Sequence, residues 1–337
     1  MTDAVRTLIS KAMADVQDVQ PAEAFAPSNI ALSKYWGKRD KARNLPLNSS
    51  ISISLGDLGS HTSVALSPTD KDKVTLDGET LDPDSAFAAR TLGFVDMFRG
   101  DKHLPLLVQT RNTIPTAAGL ASSASGFAAL TQALCAAFDL SLSGTDMSRI
   151  ARLGSGSATR SLWHGFVKWS KGEAEDGSDS HGIKLDHRWD NLRIAIIPVD
   201  KGIKPQSSRD GMNHTVRTSP LFPTWPAQAE EDCAFIETAI LERNFEDLGP
   251  RVEANALAMH ATMIAARPPL AYLTERSWSV LANLWNARDN GLSAFATMDA
   301  GPNVKLVFEE NSSSDVLSVF PEAQVIYPFS DHAQAQR

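Results

Sequence analysis

Residues 154–160 read GSGSATR. Alternating glycine and serine offer backbone N–H groups and hydroxyls to an oxyanion. Arg160 ends the run with a guanidinium that can hold a carboxylate through two parallel hydrogen bonds. The same composition suits a flexible turn between helices. Residues 115–126 read PTAAGLASSASG. Small side chains around Gly119 let backbone N–H groups approach a phosphate, and the helix that follows adds positive potential at its start. The hydroxyls of Ser122 and Ser123 can bond phosphate oxygens or Mg²⁺. The segment does not match G-x-x-x-x-G-K-[ST], so it is not a Walker loop. It also fits a small-residue helix packed closely on a sheet.

Lys34, Lys38 and Arg39 fall within KYWGKRD beside Tyr35, and Lys41 and Arg43 extend the cluster. A local cluster of this kind suits an anionic small molecule, or a solvated basic loop. In SSRDGM (207–212), Ser208 and Arg209 are placed to hold a phosphate and Met212 to pack on apolar substrate atoms; the segment is equally a polar loop. Asp299 stands between a strand-like run, LSAFATM, and Ala300-Gly301-Pro302. A carboxylate there is either a catalytic group at a strand end or the cap of a turn. No His, Cys or Asp spacing suggests zinc or iron.

The elements that must position these residues are legible in outline. SISISLGDLG, HTSVALS, KVTLDG and LLVQTRN alternate with period two and predict strands. The Ala-rich segment from about Ser122 to Phe138 predicts a long helix. A second helix follows Gly144, capped by Thr145 or Asp146. LRIAIIPVD (192–200) predicts a buried strand. From Ala227 to His260 the pattern is helical, with a break at Gly249–Pro250. Ser277 to Asp289 is a further helix, and LSAFATM, VKLVF and AQVIYPF are strands. The result is an α+β layered fold. At the N-terminus, Val5, Leu8, Ile9, Ala12, Met13 and Val16 recur at helical spacing and predict an amphipathic helix packed on the body or on a second subunit.

The 337-residue chain carries a net charge of −8, which argues against nonspecific nucleic-acid or membrane-surface binding. Its apolar runs are too short to cross a membrane, and Asp3, Asp15 and Asp18 predict neither a secretory nor a transit peptide. Cys135 and Cys233 form no disulfide framework, as expected of a reducing, cytoplasmic setting.

PTAAGLASSASG resembles the nucleotide loop of the GHMP kinase superfamily, in the form found in its diphosphomevalonate decarboxylase branch. APSNIALSKYWGKRD (26–40) with LPLNSSISISL (45–55), ARLGSGSATRSLWHGF (151–166), SSRDGM, MHATMIAARPPLAYL (259–273) and MDAGPNVKL (298–306) resemble that branch in its own order. The resemblance implies a two-part α+β fold, with a ribosomal-S5-like N-terminal half, a ferredoxin-like C-terminal half and the site in the cleft between. It divides the chain into an extension (1–24), a nucleotide-binding domain (25–188) and a C-terminal domain (189–337). It implies ATP and Mg²⁺, a homodimer, and conversion of mevalonate 5-diphosphate to isopentenyl diphosphate, ADP, phosphate and CO₂. Asp299 would accept the proton of the 3-hydroxyl, and Lys38 would sit near that carboxylate. Arg160 would hold the substrate carboxylate. Tyr35, Ser155, Gly156, Ser157, Ser208, Arg209 and Met212 would contact the substrate. Ala118, Gly119, Leu120, Ala121, Ser122 and Ser123 would cradle the nucleotide, with Ser123 near the metal. A decarboxylase of the 5-monophosphate, a kinase without decarboxylation and a non-catalytic sensor are the alternatives. A loop near 171–182 or 201–211 is expected to close over the site.

Overall fold

The computed structural model describes residues 4–16, 18–114, 122–199 and 206–329. The N-terminal periodicity becomes helix α1 (Ala4–Ala12), whose Val5 and Ile9 are buried, with Met13 just beyond. These pack against Phe94 and Phe98, so the helix covers the body of its own chain. Strand β1 (Ala22–Ser33) follows, then the small ribbon of β2 (Lys38–Asp40) and β3 (Leu45–Pro46), and then β4 (Ser50–Leu66). SISISLGDLG and HTSVALS are therefore one strand rather than two, bent where Gly56 takes φ +58°.

The alternation along β4 has a structural meaning. Ile51, Ile53 and Leu55 enter one hydrophobic core. Ser50 meets Arg160 and Ser60 meets Ser125 on the other face. Around β4 grows a mixed sheet with β5 (Lys73–Leu76), β6 (Glu79–Thr80), β7 (Leu106–Asn112), β8 (Phe166–Trp169) and β9 (Gly182–Leu185), in the order β6-β5-β7-β4-β8-β9, with β1 paired to β4. Helices α2 (Ala86–Arg99), α3 (Ser122–Ala137) and α4 (Gly144–Gly154) share a core with β1, β4 and β7. Ser143 caps α4, one residue ahead of the helix itself, rather than Thr145 or Asp146.

A second, antiparallel sheet has the order β11-β12-β10-β13, formed by β10 (Leu192–Ile197), β11 (Ala294–Thr297), β12 (Val304–Glu309) and β13 (Gln324–Ile326). It packs with α6 (Trp225–Glu242), α7 (Phe245–Ile264) and α8 (Glu275–Asp289); α5 (Ser208–Thr218) and α9 (Ser313–Val319) complete the half. The helix break expected at Gly249–Pro250 falls instead at Arg243–Asn244. Arg243 adopts the left-handed conformation (φ 52°) and Asn244 caps α7. Pro250 costs α7 one backbone hydrogen bond in its second turn, which the packing tolerates. Gly249 is needed for close approach, because a Cβ there would come within 2.0 Å of the Phe295 ring. Helix α8 begins two residues earlier than expected, at a capping box of Thr274 and Ser277.

Segment 171–182 is tied down rather than poised to close. Arg39 donates to the carbonyls of Lys171, Gly172 and Ala174. Asp179 accepts from the Glu173 and Ala174 amides at 2.7 and 3.1 Å. Arg152, fully buried, donates to the carbonyls of Gly177, Ser180 and Arg43. Removing that guanidinium leaves several buried carbonyls unpaired. Arg152→Ala is expected to lower unfolding stability by about 3 kcal/mol in a urea titration. Amide-exchange protection of 171–182 in the native chain is expected to be the same with and without bound ligands.

Candidate active site

β1 ends at Ser33, and the next residue, Lys34, turns inward behind Ile30 and Leu32. Its ammonium donates to Asp299 Oδ1 at 2.9 Å and to the Ala31 carbonyl at 2.8 Å. Its backbone N–H donates to Asn255 Oδ1 at 2.8 Å, and its carbonyl accepts from Asn48 at 2.8 Å. Asn255 in turn donates to the buried Asp232. Asp299 follows β11 and is held from a second side by Lys305 of β12, whose Nζ lies 3.5 Å from Oδ2. Both lysine side chains are 2% exposed, whereas that of Asp299 is 37% exposed. The carboxylate therefore faces a cavity and the lysines back it. His260 of α7 faces the Asp299 carbonyl at 3.2 Å. Burial, then the nearby Lys34 charge, lowers its pKa to about 4, which keeps the imidazole neutral.

The cavity in front of Asp299 has a volume of about 590 Å³, ample for two small anionic ligands. Of the residues singled out in the sequence, Tyr35, Lys38, Ser122, Ser123, Ser155, Gly156, Ser157, Arg160, Ser208, Arg209, Met212 and Asp299 all line it. Ala118, Gly119, Leu120 and Ala121 lie outside the described residues. GSGSATR is no loose turn. Gly156–Arg160 form a 3₁₀ turn whose Gly156, Ala158, Thr159 and Arg160 are buried. A Cβ on Gly156 would press to 2.9 Å on both Trp169 and Tyr35. Ser123, Ser155 and Ser157 form a shelf of hydroxyls, with Oγ separations of 3.4 and 3.3 Å. SSRDGM is likewise ordered: Ser207 caps α5, which places Ser208 and Arg209 in its first turn.

One expectation is corrected. The lysine against Asp299 is Lys34, not Lys38. Lys38 points the other way along the ribbon, donating to Asn44 Oδ1 at 2.6 Å, while Asn44 caps carbonyls at the end of α4. Lys38 still borders the cavity, beside Arg90 and Arg209. Burial and those two positive neighbours lower its pKa to about 8. Burial, then Arg209, lowers Arg90 to about 10. Arg160 falls to about 10 through burial, opposed by Asp299. The site is thus a desolvated cluster of cations in an acidic protein, a setting that favours a polyanion.

Some polar groups at the wall have no hydrogen-bond partner among the described residues. The Tyr35 hydroxyl and Arg160 Nε are buried without a hydrogen bond, although Arg160 Nη1 donates to Ser50. Such groups fit ligand oxygens. No group of three or more His, Cys, Asp or Glu side chains suited to a metal occurs among the described residues. A magnesium ion, which keeps waters and takes phosphate oxygens, does not require one; the Ser123 hydroxyl on the shelf suits it.

Sequence reasoning missed Arg90 and Asn29 on the cavity wall, Lys305, and the placement of Lys34 against Asp299. A signal existed for Lys34, because the alternation Ile30, Leu32, Lys34 places it on the inward face. None existed for Lys305, whose strand is buried on both faces.

Two family models match the chain: the diphosphomevalonate decarboxylase-like N-terminal domain over residues 26–182 and the mevalonate 5-diphosphate decarboxylase C-terminal domain over 194–336. The diphosphomevalonate decarboxylase of Debaryomyces hansenii is 39% identical, covering 89% of this chain and 82% of its own. The mevalonate diphosphate decarboxylase structure from Staphylococcus aureus is 35% identical, with TM-score 0.87 over 93% of this chain and 96% of that one. The Enterococcus faecalis enzyme, solved in complex with MVAPP, AMPPCP and magnesium, is 36% identical, with TM-score 0.84 over 91% of this chain and 96% of that one.

The two lysines separate by kinetics. Lys34→Met is expected to lower kcat by about 100-fold or more. Lys38→Met is expected to act mainly on KM for the anionic substrate. Steady-state rates of both variants check the assignment.

Proposed function

The chain belongs to the diphosphomevalonate decarboxylase family, and from that premise we infer that its cleft carries out the ATP-dependent decarboxylation of mevalonate 5-diphosphate. The products are isopentenyl diphosphate, ADP, phosphate and CO₂. The observation that carries this reading is the Lys34–Asp299 pair facing a cationic cavity, with a hydroxyl shelf on one side and Arg160 on another.

The substrate class has a tertiary hydroxyl beta to a carboxylate, and hydroxide leaves poorly. ATP with magnesium supplies the phosphoryl group that turns this oxygen into a leaving group. Asp299 orients the hydroxyl and accepts its proton at the carboxylate as the oxygen takes up that group. Lys34 holds Asp299 Oδ1 and supplies positive charge where negative charge develops. Ser122 and Ser123 hold the triphosphate, and Ser123 would bind the metal. Ser155, Ser157, Tyr35, Lys38 and Arg209 hold the diphosphate, with Ser208 beside them. Met212 packs on the apolar carbons. Arg160 fixes the substrate carboxylate in line for C–C cleavage through paired N–H groups, and CO₂ leaves as the alkene forms.

In the same proposal, residues 25–188 serve as the nucleotide-binding half and 189–337 as the second half, with 1–24 an extension. Support comes from the division of the strands: β1 and β4 to β9 form one sheet, β10 to β13 another, and β2 and β3 a separate ribbon within the first half. The enzyme is proposed to act as a cytoplasmic homodimer. The two buried free cysteines fit a reducing compartment, and no helix among the described residues is long and apolar enough to cross a membrane.

With ATP and Mg²⁺, mevalonate 5-diphosphate is expected to give ADP and CO₂ in equal amounts, while mevalonate and its 5-phosphate give neither. Asp299→Asn abolishes both products. ADP without CO₂ would overturn the assignment. Burial lowers the Lys34 pKa to about 8 against the opposing pull of Asp299. The ammonium is therefore present below that pH and lost above it. A pH–rate profile should show kcat falling roughly tenfold per unit above about 8. In Lys34→Arg that limb moves upward, because a guanidinium does not titrate in this range.

A further inference from the structure

We propose that Lys305 is a positioning residue for this reaction, holding the second oxygen of Asp299 from behind the cavity wall so that the carboxylate stays ionised and fixed in orientation. The inference rests on the function proposed above. Lys305 lies on β12 between Val304 and Leu306, both fully buried, and is itself 1% exposed. An ammonium this far from water is costly unless it is paired. Among the described residues, Asp299 is the only carboxylate within ion-pairing distance, with Nζ 3.5 Å from Oδ2. Lys305 does not border the cavity, so it reaches the reaction only through Asp299.

The groups facing Asp299 divide the work. Lys34, from the end of β1, holds Oδ1 at 2.9 Å and itself lines the cavity. His260, from α7, is neutral and faces the main-chain carbonyl. Arg160, from the 3₁₀ turn, attracts the carboxylate electrostatically. Among the described residues, Lys305 is the cation beside Oδ2, at 3.5 Å. A cation on each oxygen fixes its plane, and both favour the charged form. The proton of the substrate hydroxyl then has an ionised acceptor already in place.

The test is a pH–rate profile of Lys305→Met and Lys305→Gln, with Lys305→Arg restoring the charge. The wild-type enzyme is first shown to release ADP and CO₂ in equal amounts. Both uncharged variants are expected to lose about tenfold or more in kcat at neutral pH, with KM for ATP within about twofold of wild type. The acidic limb of kcat moves upward by about one unit or more, the range a neighbouring cation controls, and Lys305→Arg returns it. A uniform loss of rate with an unmoved limb would make Lys305 a packing residue and overturn the proposal. A wild-type enzyme without ADP and CO₂ would overturn the underlying function instead. A reciprocal measurement does not require the Lys305 variants to fold. The nitrogen-15 chemical shift of the Lys305 ammonium at neutral pH should move in Asp299→Asn, which removes the charged partner 3.5 Å away. An identical chemical shift in the two proteins would overturn the proposal.

Discussion

A buried ammonium has to be paired, and the placement of Lys34 makes much of the molecule serve that need. Its side chain is out of water, so a carboxylate must come to it. Asp299 arrives from the far end of the sequence, at the tip of the second sheet. Asn255 arrives from α7 to take the Lys34 backbone N–H, and Asn48 takes its carbonyl. The contacts of Asp299 and Asn255 join one half of the chain to the other. Ser49 donates through both its amide and its hydroxyl to Glu230, and Lys168 pairs with Glu237, so α6 is fastened to the first sheet beside the site. The two sheets share a hydrophobic core below these ties. Geometry at the Asp299 carboxylate is therefore set by packing rather than by loops alone.

The cleft stores unfavourable electrostatics. Lys38, Arg90 and Arg209 repel one another, and burial weakens the charged forms of the first two. A folded protein accepts that cost where function requires it. A ligand bearing several phosphate charges relieves the repulsion and replaces lost hydration with charge-assisted hydrogen bonds. The orphaned Tyr35 hydroxyl and Arg160 Nε are the polar counterpart: groups left unpaired by the protein for a ligand to pair. Support comes from rigid surroundings. Arg152 and Arg39 pin 171–182 through its carbonyls, and Gly156 lets the 3₁₀ turn approach Tyr35 and Trp169.

Where sequence patterns and structure diverge, tertiary packing has outweighed a local signal. Gly249–Pro250 reads as a helix breaker, yet α7 runs through it, because Gly249 is required against Phe295 and a second-turn proline forfeits only one bond. The helix stops instead at Arg243, whose left-handed conformation carries no mark in its residue type. Gly56 bends β4 without ending it, since β1 pairs on both sides of the bend.

By itself the sequence determined the α+β class, the order of most strands and helices, the amphipathic N-terminal helix and the phosphate-seeking character of the serine- and arginine-bearing segments. These follow from periodicity and residue chemistry over short spans. Resemblance then joined the segments into one site, and the twelve named residues that the structure describes do meet in one cavity. The tertiary structure alone decided which lysine faces Asp299. Lys34 and Lys38 are four residues apart in one basic run, and only the end of β1 and the turn into the ribbon send one inward and the other toward Asn44. Lys305 and Arg90 are likewise products of assembly. A charge inside a strand buried on both faces, or on one face of α2, acquires meaning only from what the rest of the chain brings against it, and that is a long-range property no local pattern encodes.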